Sequence, residues 1–148
     1  MIYYREGDLL ASDMDVIAHG CNCFCNMGAG IAKQIRLQFP EAWTTDLATR
    51  SGDFAKMGWF TVASQHGKRI YNLYSQYKYG GDEVRVEYNY LRLSLDGMKK
   101  DLQNDGIYDR VSIGLPMIGC GLANGDWDTV SSIIEYVFGD KDIYVYTL

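Results

Sequence analysis

The chain has 148 residues, 47% of them hydrophobic and 22% charged, which is the composition of an ordinary globular protein. That length suits one domain, spanning 1–148, with a sizeable core, and no apolar run is long enough for a membrane helix. Acidic residues outnumber basic ones 19 to 14, and a net charge of −5 argues against non-specific binding to nucleic acid or an anionic membrane. Residues 2–5, Ile-Tyr-Tyr-Arg, predict a strand that ends in the turn Glu6-Gly7-Asp8. Met1 leads straight into that strand, so no secretory leader is expected and the expected location is cytoplasmic.

Residues 14–18 predict a short buried strand leading into His19-Gly20-Cys21-Asn22-Cys23. Ile31, Ile35 and Phe39 recur at helical spacing, and Pro40 is expected to end that helix. Glu41 to Arg50 predicts a second short helix, with Gly52 beyond its end. Residues 58–64 and 69–75 are β-rich and flank His66-Gly67-Lys68, which predicts a hairpin. Val84, Tyr88, Leu91, Leu95, Met98 and Leu102 mark one face of a long helix, with Gly97 inside it at some cost. Arg110 to Leu115 predicts a strand, Val130 to Phe138 a final helix, and 142–147 a closing strand. Strands and helices thus alternate except at the hairpin. That pattern predicts an α/β fold of three layers, α/β/α, around a central mixed sheet.

Two small-residue turns stand out, Met27-Gly28-Ala29-Gly30-Ile31 and Pro116 to Leu122 with Gly119, Cys120 and Gly121. Each lies between a strand-like and a helix-like run. Glycine permits positive φ and close backbone approach, and a helix start presents unpaired amides that suit an anion. Together the turns could grip a diphosphate without basic side chains; each alone is equally an ordinary strand-to-helix turn. Gly121 is the position where a side chain is expected to block that grip. Cys21, Cys23 and Cys25 alternate rather than forming the spaced pairs typical of zinc sites, so neither a metal nor a cofactor is expected. Cys120 has no base or cation nearby in sequence to make it a nucleophile.

In that order these motifs resemble a macro domain, the ADP-ribose-binding α/β module. The resemblance runs over nearly the whole chain. It rests on Gly7-Asp8-Leu9, His19 to Asn22, the two glycine turns, and the closing Val145-Tyr146-Thr147-Leu148. Within the family the chain is similar to the branch holding ADP-ribose-1″-phosphate phosphatase and terminal ADP-ribose glutamate hydrolase. The resemblance implies that Asp8 accepts from the adenine amino group, Leu9 offers its N–H to the ring, and Tyr146 lies against the base. It implies that the glycine turns wrap the diphosphate and that Asn22 faces the distal ribose. Each residue also has a plainer reading. Asp8 and Asn22 suit turns, and Tyr146 suits sheet packing.

The glutamate hydrolase of that branch uses a lysine after a sheet strand and an aspartate after the second glycine turn. Here Leu73 to Tyr77 occupies the first place, Lys78 is out of register, and Ala123 occupies the second. The remaining candidates for water chemistry are His19 as base, Asp126 as acid or base, Asn22 beside the ribose, and Gln76 to orient a water or a hydroxyl. His19 could equally be structural, and Asp126 a helix cap. His66, beside Gly67, is expected to be exposed and inert. Three functions follow from the resemblance: hydrolysis of ADP-ribose-1″-phosphate, removal of ADP-ribose from an acidic side chain or an acetyl ester, and binding without turnover. In all three the partner is ADP-ribose or a derivative, with no direct nucleic acid and no membrane.

Overall fold

The computed structural model describes all 148 residues. Strands β1 (Ile2–Glu6), β2 (Val16–Cys21), β3 (Phe60–Gln65), β4 (Lys68–Tyr74), β5 (Ile113–Leu115) and β6 (Ile143–Thr147) form one sheet in the order β1-β6-β5-β2-β4-β3. Only the β3–β4 hairpin is antiparallel. Helices α1 (Gly30–Gln38) and α2 (Pro40–Leu47) cover one face, and α3 (Tyr88–Asn104) and α4 (Trp127–Val137) cover the other. The sheet is therefore mixed and buried on both faces, the three-layer α/β/α arrangement expected from the alternation.

The period of two along each strand sorts the core. On β2, Val16 and Ala18 join Leu91, Leu95, Met98 and Ile134 beneath α3 and α4. Ile17 joins Leu9, Met27, Ile35 and Phe39 beneath α1 and α2. Gly97 earns its place inside α3 because a Cβ there would lie 3.0 Å from the Phe60 ring.

The chain departs from the sequence reading most at the following places. β2 continues through His19 and Gly20 to Cys21, in register with Tyr74 of β4, so His19 belongs to the sheet rather than to the loop after it. Pro40 opens α2 at its first position, where its missing N–H costs nothing, and Phe39 alone separates it from α1. Val84 lies outside α3, which starts at Tyr88. Two 3-10 turns, Leu9–Ala11 and Phe54–Lys56, were not expected; Asp8 and Asp53 cap them through Leu10 N and Ala55 N.

Candidate functional site

Five parallel strands place their carboxyl ends along one edge of the sheet, where α/β folds commonly bind ligands. Asp8 follows β1, Asn22 follows β2, Gln76 follows β4, Pro116 follows β5, and Tyr146 lies near the end of β6. Their common edge is a consequence of the strand direction, which fixes where each loop leaves the sheet.

Two of these loops present bare amides. The Ala29 side chain cannot cap α1, and the amides of Gly30, Ile31 and Ala32 meet no protein acceptor. The loop after β5 is wound tightly by Cys120 N donating to Met117 O, Asn124 N to Gly121 O, and Gly125 N to Gly119 O at 2.7 Å. That winding leaves the amides of Gly121, Leu122 and Ala123 without a protein acceptor. The two loops touch, since a Cβ on Gly30 would lie 3.2 Å from Leu122 Cδ1. A helix start with its partial positive charge thus stands against a second set of free donors, an arrangement suited to a diphosphate.

Within the protein itself, glycine is required in the second loop at Gly119 and Gly125. Gly119 has φ +73°, and a Cβ on Gly125 would lie 2.5 Å from the Gly119 carbonyl oxygen. Gly121 has open space where a Cβ would go and no left-handed backbone, so the expected block at that position has no source within the protein itself.

At one end of the edge, Asp8 Oδ1 accepts from Leu10 N at 3.0 Å, leaving its other oxygen and the Leu9 amide without a protein partner. Gly7 N donates to Thr147 O, which holds Asp8 beside the end of β6. Tyr146 stands opposite Arg5 in register and accepts from its guanidinium at 3.4 Å. Leu9, Met27, Ile31 and Tyr146 share one apolar cluster. Asp8, Leu9 and Tyr146 are thereby assembled from the two ends of the chain, next to the start of α1.

The other end changes the candidate chemistry. His19 is 0% exposed, and its Nε2 lies 2.7 Å from Asn72 Oδ1. Burial lowers its pKa to about 4, against the opposing effect of the hydrogen bond that Nε2 donates to Asn72. It is a neutral core residue that a substrate cannot reach, so the role of base passes away from it. Asn22 spends its amide on Asn26 O at 2.8 Å and accepts from Phe24 N at 2.9 Å, the geometry of a turn-forming asparagine. Asp126 caps α4, accepting from Thr129 N and Thr129 Oγ1. Those bonds hold its carboxyl below the usual range, which makes it a weak base. Burial, and then Asp126, push the Cys120 thiol up to about 11, so it is no nucleophile. His66 is exposed in the hairpin turn, with its ring against Phe39.

The sequence reading missed the strap that ties this end together. Val86 bridges to Gln76, and the neighbouring Arg85 N donates to Ala123 O at 2.8 Å. Asn124, with φ +59°, donates to Gly81 O and Glu83 O. Segment 81–86 thus pins the exit of β4 to the second glycine loop, bringing positions 76 and 123 to the same place. An asparagine in the left-handed region was the one sequence signal for it. Gln76 donates to Lys78 O at 2.8 Å, and Lys78 is exposed.

The human protein named ADP-ribose glycohydrolase OARD1 is 35% identical over 150 residues, covering 99% of this chain and 91% of that one. The chain is a macro domain. A Saccharomyces cerevisiae protein named ADP-ribose 1″-phosphate phosphatase is 24% identical over 187 residues, covering 99% of this macro domain and 98% of that protein. Among solved structures, the macrodomain of Mycobacterium tuberculosis DarG shares the fold with a TM-score of 0.79 at 22% identity, over 100% of this chain and 98% of that one. No family model matches the chain.

Proposed function

We propose that this macro domain binds ADP-ribose along the strand ends and hydrolyses ADP-ribose-1″-phosphate to ADP-ribose and inorganic phosphate. Adenine lies at Asp8, Leu9 and Tyr146. The diphosphate lies between the Met27–Ile31 and Gly119–Leu122 loops. The distal ribose lies toward Asn22, Gln76 and Ala123. The observation that carries the binding reading is the pair of loops with free amides, touching through Leu122 and Gly30.

The choice of substrate rests on what stands at positions 76 and 123. Neither glutamine nor alanine can attack a sugar carbon or give up a proton at neutral pH. Water attacking the anomeric carbon breaks its bond to the phosphate oxygen; the phosphate leaves as a stable anion that needs no proton from the protein, and the water's proton passes to solvent or to the departing phosphate. Backbone donors aimed at the developing charge are the help it requires. The name of the yeast relative agrees with this substrate, and that of the human relative agrees with the broader class of ADP-ribose hydrolysis.

A second reading, binding without turnover, has its own support. His19 is sealed in the core and Asp126 is committed to a cap, so no poised base faces the strand ends. Incubation with ADP-ribose-1″-phosphate, followed by assay of free phosphate, separates the two. Phosphate release is expected, with little cleavage of glutamate-linked ADP-ribose in a parallel reaction. Intact ADP-ribose binding by calorimetry without phosphate release at any pH would overturn the phosphatase reading and leave the binding module.

A further inference from the structure

The two methyl groups of one side chain fill the spaces that two glycines leave in the second glycine loop. A Cβ on Gly119 would lie 2.8 Å from Val86 Cγ2, and a Cβ on Gly125 would lie 2.6 Å from Val86 Cγ1. These two glycines form the neck of the loop, closed by Gly125 N donating to Gly119 O at 2.7 Å. Between them lie the free amides of Gly121, Leu122 and Ala123. Val86 is buried, and its backbone is held from three directions. It bridges to Gln76, while Arg85 N donates to Ala123 O and Glu87 N to Ser75 O, each at 2.8 Å. Valine branches at Cβ and is stiff at χ1, so a fixed backbone fixes both methyl groups.

We propose that Val86 is a positioning residue for diphosphate binding: its forked side chain holds the neck of the second glycine loop, and the neck sets the direction of amides 121–123. The proposal rests on the ADP-ribose reading above and adds a residue that acts on the ligand only through the loop. The fit is two-sided. The three atoms nearest to a Cβ on Gly119 all belong to Val86, so glycine there makes room for the fork as well as for a φ of +73°. At Gly125 the near neighbours are the Gly119 carbonyl and the other methyl of Val86. Apart from the neck bond, the loop's own winding is Cys120 N to Met117 O and Asn124 N to Gly121 O. Alanine at 86 would empty both spaces and free the neck to relax. Because Val86 also pairs with Gln76, one residue ties the ribose end to the diphosphate loop, and such packed networks tune affinity without touching the ligand.

The test applies calorimetry with ADP-ribose, urea unfolding and hydrogen exchange of the Gly125 amide to variants of the full chain. Val86→Ala should weaken ADP-ribose binding by about 2- to 30-fold and speed exchange at Gly125. Val86→Leu keeps an apolar side chain but loses the branch at Cβ, and should weaken binding likewise; it serves if the alanine variant does not fold. Val86→Thr keeps the fork but buries a hydroxyl, so its stability should fall while its affinity and Gly125 protection stay near wild type. A merely structural valine would show no such split between shape and stability. Gly119→Ala should weaken binding alone, and should add less than that in the Val86→Ala background, where the methyl it strikes is gone. The proposal is overturned if folded Val86→Ala and Val86→Leu bind ADP-ribose as tightly as the wild type, if Val86→Thr loses as much affinity as they do, or if the Gly119 and Val86 losses simply add. A wild type that ignores ADP-ribose, with Gly125 still deprotected by Val86→Ala, would instead overturn the reading of the cleft and leave Val86 as the fork that shapes the loop.

Discussion

Replacing His19 by glutamine should uncouple the stability of this macro domain from mild acid. The imidazole is fully buried, and burial lowers its pKa to about 4, whereas an unfolded chain titrates near 6.5. Below about pH 6.5 the unfolded chain takes up a proton that the native chain refuses. Native stability contributed by this group is therefore complete above about pH 6.5 and falls as the pH drops toward about 4. Below that, both states are protonated and the loss stops growing. A gap of about 2.5 units corresponds to about 3 kcal/mol, a large part of the stability of a domain this size. Glutamine can place an amide donor where His19 Nε2 meets Asn72 Oδ1, 2.7 Å away, and it does not titrate. Urea unfolding followed by circular dichroism between about pH 7 and pH 4.5 gives the comparison. The wild type should lose stability with a slope approaching about 1.4 kcal/mol per pH unit relative to the variant. ADP-ribose affinity and any turnover should survive the substitution. Parallel stability curves for the two proteins, or an imidazole that NMR shows titrating near 6.5 in the folded state, would refute the burial argument.

Further expectations concern the loops and caps. Gly125→Ala should weaken ADP-ribose binding at least about tenfold by calorimetry, because a Cβ 2.5 Å from the Gly119 carbonyl must open the loop; Gly121→Ala should fold with unchanged stability. Asp8→Asn should keep the cap on Leu10 N yet lose an acceptor, weakening binding by about 1–3 kcal/mol, and Asp8→Ala should lower stability by about 1 kcal/mol besides. Asp126→Ala should lower the thermal midpoint by removing the α4 cap and leave phosphate release unchanged; a matching fall in turnover would return Asp126 to the reacting groups.

Much of this fold could be read in the sequence because its signals are local. Leu91, Leu95, Met98 and Leu102 declare one helix face, and the glycine turns declare where chain direction changes. The hydrophobic period says nothing reliable about His19, Gly20 and Cys21, which are weak strand markers. Their place in β2 is decided by pairing with Asn72, Leu73 and Tyr74, some fifty positions on. The partner that makes His19 structural, Asn72, is equally distant. The strap at 81–86 left no sign in the sequence beyond Asn124, for another reason. Its contacts with Ala123 and Gln76 are backbone bonds, and backbone bonds leave no side-chain signature. Asp8 and Asp126 were legible as caps and as candidate functional groups alike, and only the geometry assigns Asp126 firmly to the cap.

The order β1-β6-β5 makes Ile143–Thr147 an interior strand, although it is made after every other strand of this sheet. Until it arrives, β1 has no neighbour to pair with, and Asp8 lacks the Gly7–Thr147 bond that sets it in place. The glycine loops lie between those chain ends and can form earlier. Closing a loop of this length is slow compared with local helix formation. Assembly of the adenine end therefore waits for β6, and a chain stalled before Ile143 should hold a folded middle without the ability to retain ADP-ribose. Ligand capture by nascent chains of graded length would report the moment at which β6 slots into the sheet.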